Sequence, residues 1–233
     1  MKILSVNPQG NSDVHNLLSR NCKVPTEDTI LSLLKRDHEE IDDRFILIDF
    51  NWAKCINAFG NQQTQVIING IANHLGEDIN NAIFICQHIS AEKFNWYSRY
   101  VFSPHATTHN KFFSIPHFPM NYLNDKKDRD IFASFLGSYE THAIRKRISE
   151  VKNVVCLDTG GWFFYAPDEK KRKVYKDHLS RSKFSICPRG TGHGTIRLWE
   201  SIASGSVPVI LSDDYVLPQL KSFNLNECVV IIP

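Results

Sequence analysis

Short, continuously apolar runs separated by helix-patterned stretches constrain this chain more than any other feature. They recur at Ile3–Val6, Phe45–Phe50, Val66–Ile68, Ala82–Cys86 and Tyr100–Phe102. They continue at Ile131–Leu136, Val154–Leu157, Phe184–Cys187, Val207–Leu211 and Val229–Ile232. Strands that are apolar throughout belong in a parallel sheet covered on both sides, because the helical crossovers that parallel pairing demands lie over the two faces. Helical spacing fills several of the gaps. Thr26–Leu34 has Thr26 as a candidate N-cap with Glu27 and Asp28 in the first turn, and Glu140–Val151, Lys170–Leu179 and Ile196–Ala203 follow the same period. The fold class is therefore α/β. The polar run Asn124–Arg129, after the loop-like Pro116-His117-Phe118-Pro119, divides the chain into residues 1–125 and 126–233.

Bulk properties exclude several function classes. At 233 residues with 42% hydrophobic composition the chain can bury a real core, and its net charge of +2 carries no polyanion-binding signature. The basic cluster Lys170–Lys173 lies on a helix and reads as a solvated face, so no nucleic-acid partner is expected. No stretch approaches the roughly 20 apolar residues of a membrane span, and the opening run is cut off at Asn7-Pro8-Gln9-Gly10, unlike a signal peptide. The six cysteines stand far apart with no C-x-x-C pair, which reads as free thiols in a reducing cytoplasm and gives no zinc site. No sequence signal sets the oligomeric state.

The chemistry concentrates between Lys183 and Asp214. Phe184–Cys187 is a buried strand, Pro188 ends it, and Gly190, Gly192 and Gly194 form a loop whose backbone can approach a ligand closely. Thr195 is an N-cap candidate for the next helix. That helix carries Ile196, Trp199, Ile202 and Ala203 on one face and Arg197, Glu200, Ser201 and Ser204 on the other. Gly205 stops it, and Val207–Leu211 returns as a parallel strand. A strand, a glycine loop and a helix N-terminus suit a phosphate or diphosphate. Arg189 and Arg197 add forked donors, and Glu200, one turn beyond Arg197, can accept from ribose hydroxyls. The same Arg–Glu spacing also fits an ordinary surface ion pair. The loop is not a Walker A motif, since no Gly-Lys-Ser/Thr follows, nor a dinucleotide fingerprint.

The run Pro188-Arg189-Gly190, Gly194-Thr195, Arg197, Glu200, Val207-Pro208-Val209, Leu211-Ser212 and Leu217-Pro218 resembles the exostosin family of glycosyltransferases. Upstream, Phe135-Leu136-Gly137 followed by Arg145 resembles the strand and helix that open the family's nucleotide-binding domain, so the match spans about residues 131–220. The resemblance implies a GT-B-like architecture, two Rossmann-like domains with a cleft between them and the donor held by the C-terminal one. It also implies a UDP-sugar donor, a saccharide acceptor, inverting transfer, and no obligatory metal or other cofactor. By position it gives the donor contacts to Arg189, Gly190, His193, Gly194, Thr195, Arg197, Glu200, Gly137 and Arg145, with Asp213 or Asp214 at the rim.

Transfer also needs a base for the acceptor hydroxyl. Candidates are His105, His109 and His117 in the loop-rich segment 103–119, and Asp49 after the strand Phe45–Ile48. His193 fits ligand contact better than the base role. Glu140 is a further candidate for donor or acceptor contact that helix capping explains nearly as well.

Overall fold

A computed structural model describes residues 1–6, 24–125, 128–160 and 168–233. Cys22 and residues 126–127 of the boundary run lie outside the described residues. The chain separates into two compact units, Met1–Ile115 and Pro116–Pro233. Each contains one parallel five-stranded sheet.

In the first unit, β1 (Lys2–Ser5), α1 (Pro25–Arg36), β2 (Ile46–Asp49), α2 (Trp52–Leu75), β3 (Ala82–Ile85), β4 (Tyr100–Ser103) and β5 (Phe113–Ser114) follow one another, with the strands side by side in chain order. Alternate residues of the central strands feed two cores. Ile46, Ile48 and Phe84 pack with Trp52, Trp96 and Ile68, while Leu47, Ile83 and Ile85 pack with Leu31 and Met1. This double burial is why the strands are apolar at every position.

Two expectations are corrected here. Val66–Ile68 is not a strand but part of α2, whose buried residues Thr64, Ile68 and Ile71 follow the helical period while Val66 is exposed. A short β-branched run satisfies both patterns, and only its neighbours decide. The helix is interrupted at Gly60, where φ is 74° and the Thr64 hydroxyl donates to the Gly60 carbonyl at 2.8 Å. Thr26 is also not a cap: Val24 holds that position and Pro25 opens the helix.

Capping in this unit is instead reciprocal and long-range. The Gln87 side-chain oxygen accepts from the amides of Thr26 and Glu27, at 2.9 and 3.0 Å, closing the start of α1. The fully buried Glu27 carboxylate accepts from Ala53 N at the start of α2, at 3.2 Å, and from Gln87 N at 2.7 Å. Burial pushes the Glu27 carboxyl up to about 8 despite these donors. In the unfolded chain it returns towards 4.5, so the folded unit binds the extra proton between those values. Stability of the first unit therefore falls as pH rises from about 4.5 to 8 and levels off above. Hydrogen-exchange protection of the Leu47 and Ile48 amides should follow that slope in the native chain and lose it in Glu27→Gln.

In the second unit β6 (Ile131–Gly137), α3 (Ala143–Ile148), β7 (Val154–Asp158), α4 (Glu169–Arg181), β8 (Ser182–Pro188), α5 (Ile196–Ala203), β9 (Val207–Leu211) and β10 (Val230–Ile232) build a sheet of order β10-β9-β8-β6-β7. The chain thus reverses direction across the sheet between β6 and β8, the topological switch point at whose carboxyl edge open α/β sheets bind ligands. Here the edge strands depart from the expectation of two covered faces, with Val155, Leu157 and all of β10 exposed. Helix α5 departs the other way: its polar side is buried too, Arg197, Glu200, Ser201 and Ser204 being 9%, 2%, 0% and 3% exposed. The segment from Pro116 belongs to this unit because its Met120 and Asn121 amides bind Glu200.

Candidate functional site

The site lies where β6 and β8 end. The Arg145 side chain, from α3, ties these two exits together. Its Nε donates to the Arg189 carbonyl at 2.9 Å, Nη1 to Ser138 O at 3.1 Å and Nη2 to Pro188 O at 3.4 Å. A Cβ on residue 190 would stand 2.9 Å from Arg145 Nη2, which explains the glycine of the Pro-Arg-Gly run. Burial first, then the neighbouring Arg197 charge, bring the Arg145 guanidinium down to about 10.

Arg197 is buried without such partners. Its guanidinium carbon lies 4.6 Å from the centre of the Phe135 ring and 5.3 Å from that of Tyr175. Its Nε makes no hydrogen bond. Gly137 gives the head its room, since a Cβ there would fall 2.7 Å from Arg197 Nη2. The buried Nε of Arg189 is likewise without a partner. Thr195 occupies the expected N-cap position of α5 but its side chain makes no capping bond. His142 caps α3, accepting the Ile144 amide on Nδ1 at 3.3 Å. Its pKa is held below the ordinary imidazole value by burial and then by Arg189, Arg145 and His193.

Glu200, three residues beyond Arg197, is the most heavily bonded acid in this region. Its Oε1 accepts from the amides of Met120 at 3.3 Å and Asn121 at 2.7 Å and from Asn121 Nδ2 at 3.1 Å. The Tyr175 hydroxyl donates to Oε2 at 2.7 Å. Burial still raises the Glu200 pKa against these donors.

The remaining sequence candidates separate. His193 Nε2 lies 3.3 Å from Asp214 Oδ2, joining the glycine loop to the stretch after β9, whereas Asp213 is exposed. Gly194 and Gly190 lie in the loop between β8 and α5. Glu140 is a surface acid 3.1 Å from Lys146. In the first unit Asp49 ends β2, 3.1 Å from Lys35 Nζ, and accepts from the Ser5 hydroxyl at 3.4 Å. His105, 7% exposed, follows β4 with Nε2 3.1 Å from the Gln87 carbonyl. His109 is exposed in the next loop, its amide donating to Thr107 Oγ1 at 3.2 Å. His117 belongs to the second unit and is 9% exposed. Among the described residues no His/Cys/Asp/Glu cluster could hold a metal ion.

Sequence reasoning missed Tyr175, Phe135 as a stacking platform, His142 and Asn121. Tyr175 had a signal, standing four residues before the buried Leu179 and so on the inward face of α4. Asn121 had none, because its partner is 79 residues away.

With this geometry in place, comparison with known proteins decides the family. The profile of the exostosin GT47 domain matches residues 67–233. The chain belongs to the exostosin GT47 family. It is 35% identical over 84 residues to the exostosin-1 homolog of Caenorhabditis elegans, covering 33% of this chain and 22% of that protein. A "Probable glucuronosyltransferase" of Oryza sativa subsp. japonica is 35% identical over 100 residues, covering 40% and 23%. The "Probable glucuronoxylan glucuronosyltransferase IRX7" of Arabidopsis thaliana is 36% identical over 98 residues, covering 40% and 21%. The matches thus span about a fifth of these relatives. Among solved structures, the pneumococcal O-GlcNAc transferase GtfA in complex with UDP and GlcNAc aligns at 13% identity and TM-score 0.27, over 85% of this chain and 50% of that one. A similarity of that size carries no argument.

The unpaired Arg189 Nε belongs to a side chain whose charge helps hold the His142 pKa down. Pyrophosphate should raise the His142 pKa in an NMR titration by offsetting the surrounding positive charge. Arg189→Ala should abolish most of that rise.

Proposed function

We propose that this chain is a glycosyltransferase that moves a sugar from a UDP-sugar to a saccharide acceptor, with inversion and without a bound metal. The observation that carries the reading is Arg197, a buried guanidinium at a sheet switch point whose Nε is unpaired and whose charge Glu200 meets only through space. A buried cation left this way is costly, and a diphosphate is the ligand whose charge and oxygen geometry relieve it. Family membership and the names of the relatives support sugar transfer.

In this reading Arg197 and Arg189 take the diphosphate oxygens, with the uncapped first turn of α5 behind them and Gly190, Gly194 and Thr195 lining the approach. These positive groups stabilise the leaving UDP, the role a metal ion plays elsewhere. Gly137 and Arg145 act indirectly: the first makes room for Arg197 and the second fixes the loop. His193, held by Asp214, contacts the sugar or diphosphate from the loop, and Asp213 stands at the rim. Glu200 receives the ribose. A carboxylate offers about four acceptor sites. Oε1 is filled by three donors and Oε2 has only the tyrosine hydroxyl, which leaves it one position for a sugar hydroxyl.

The transfer itself forms a bond from the acceptor oxygen to the anomeric carbon as the bond from that carbon to the diphosphate breaks. The acceptor proton passes to a base, for which His105, His109 and Asp49 of the first unit are the candidates. The free thiols among the described cysteines suit a cytoplasmic setting. A second reading, a nucleotide-sugar-binding relative without turnover, draws on the base candidates: Asp49 is engaged by Lys35 and His105 by a backbone carbonyl.

Calorimetric titration with UDP in a chelator should give micromolar binding, weakened at least about tenfold in Arg197→Ala. Acceptor-stimulated release of UDP from a UDP-sugar then separates transfer from binding alone. A native chain that ignores UDP would sink both readings.

A further inference from the structure

We propose that Tyr175 is a positioning residue serving two donor contacts at once, its ring seating Arg197 and its hydroxyl setting Glu200. The inference rests on the donor reading above and extends it to a residue on a different helix. Tyr175 projects from the middle of α4, four residues before the buried Leu179, towards the polar side of α5. Its ring and that of Phe135 flank the Arg197 guanidinium, at 5.3 and 4.6 Å. With no hydrogen bond on Nε, the two rings do the work that carbonyl acceptors do for Arg145. Stacked rings hold a guanidinium plane while leaving its edge donors available, whereas carbonyls would consume them.

The hydroxyl does a second task. It lies 2.7 Å from Glu200 Oε2, the oxygen that the Met120 and Asn121 donors do not use. It therefore fixes the carboxylate's rotation and, as a donor, opposes the rise that burial imposes on the acid's pKa in a site 2% exposed. Burial and the adjacent carboxylate hold the Tyr175 phenol well above its usual pKa, so it remains a donor throughout the working range. One side chain thus spaces a cation for the diphosphate and an anion for the ribose, a distance that a single helical turn alone would leave loose.

Two ligands separate the tasks. Pyrophosphate has the diphosphate without the ribose, and UDP has both. Tyr175→Phe keeps the ring and removes the hydroxyl. It should weaken UDP about tenfold while changing pyrophosphate less than about twofold. Tyr175→Leu removes both and should weaken both ligands at least about threefold. Thermal unfolding of each variant checks the fold, and if Tyr175→Leu does not fold, the ring-preserving variant decides. Equal losses for the two ligands in Tyr175→Phe, or no loss for UDP, would overturn the assignment while leaving the donor site standing. A native chain that binds neither ligand would overturn the donor reading, and this assignment with it.

Discussion

The second unit is organised around one buried charge with an unpaired nitrogen. Arg197 enters the interior on the first turn of α5, loses most of its water, and meets aromatic faces, with the Glu200 carboxylate acting on it only through space. Cation–π contacts are worth on the order of 1–2 kcal/mol when desolvated, less than the cost of burying an unpaired ion. The arrangement holds because the rest of the unit over-determines it. Leu198 and Trp199 lock α5 against β9 through the core, and Ser201 ties the helix to itself by donating to the Arg197 carbonyl at 2.6 Å.

The same economy recurs in the glycines. Gly137, Gly190 and Gly205 each face an arginine head, those of Arg197, Arg145 and Arg129, at distances where a Cβ would collide. Gly205 also has φ 73° after the end of α5, so two constraints select it. Arg129 closes that end by donating to Ser182 O and Ser204 O, both at 2.7 Å. Two of the three arginines therefore cross-link backbone carbonyls, and the third does not. That asymmetry separates the framework from the site and would be invisible in a list of conserved-looking arginines.

Much of the framework was legible in the sequence because it is local. Continuous apolar runs announced the parallel sheets, and the Phe184–Leu211 stretch announced strand, loop, helix and strand in their observed order. The Val66–Ile68 run misled because three β-branched residues satisfy either period, and the short β5 pairing of Phe113–Ser114 offered no run to read. The site was legible only in part. Arg189, Arg197 and Glu200 follow from spacing on one βα unit, but their states do not. Whether an arginine is bonded or bare depends on Phe135 and Tyr175, from β6 and α4, and Glu200 is filled by a segment 79 residues earlier. Contacts of that separation are fixed by topology, not by any pattern near the residue.

The most direct measurement is a crystal structure of the chain with UDP bound. The account predicts diphosphate oxygens within hydrogen-bonding distance of Arg197 and Arg189, at the start of α5, with the ribose against Glu200 Oε2. UDP seated elsewhere, with Arg197 still bare between Phe135 and Tyr175, would contradict it.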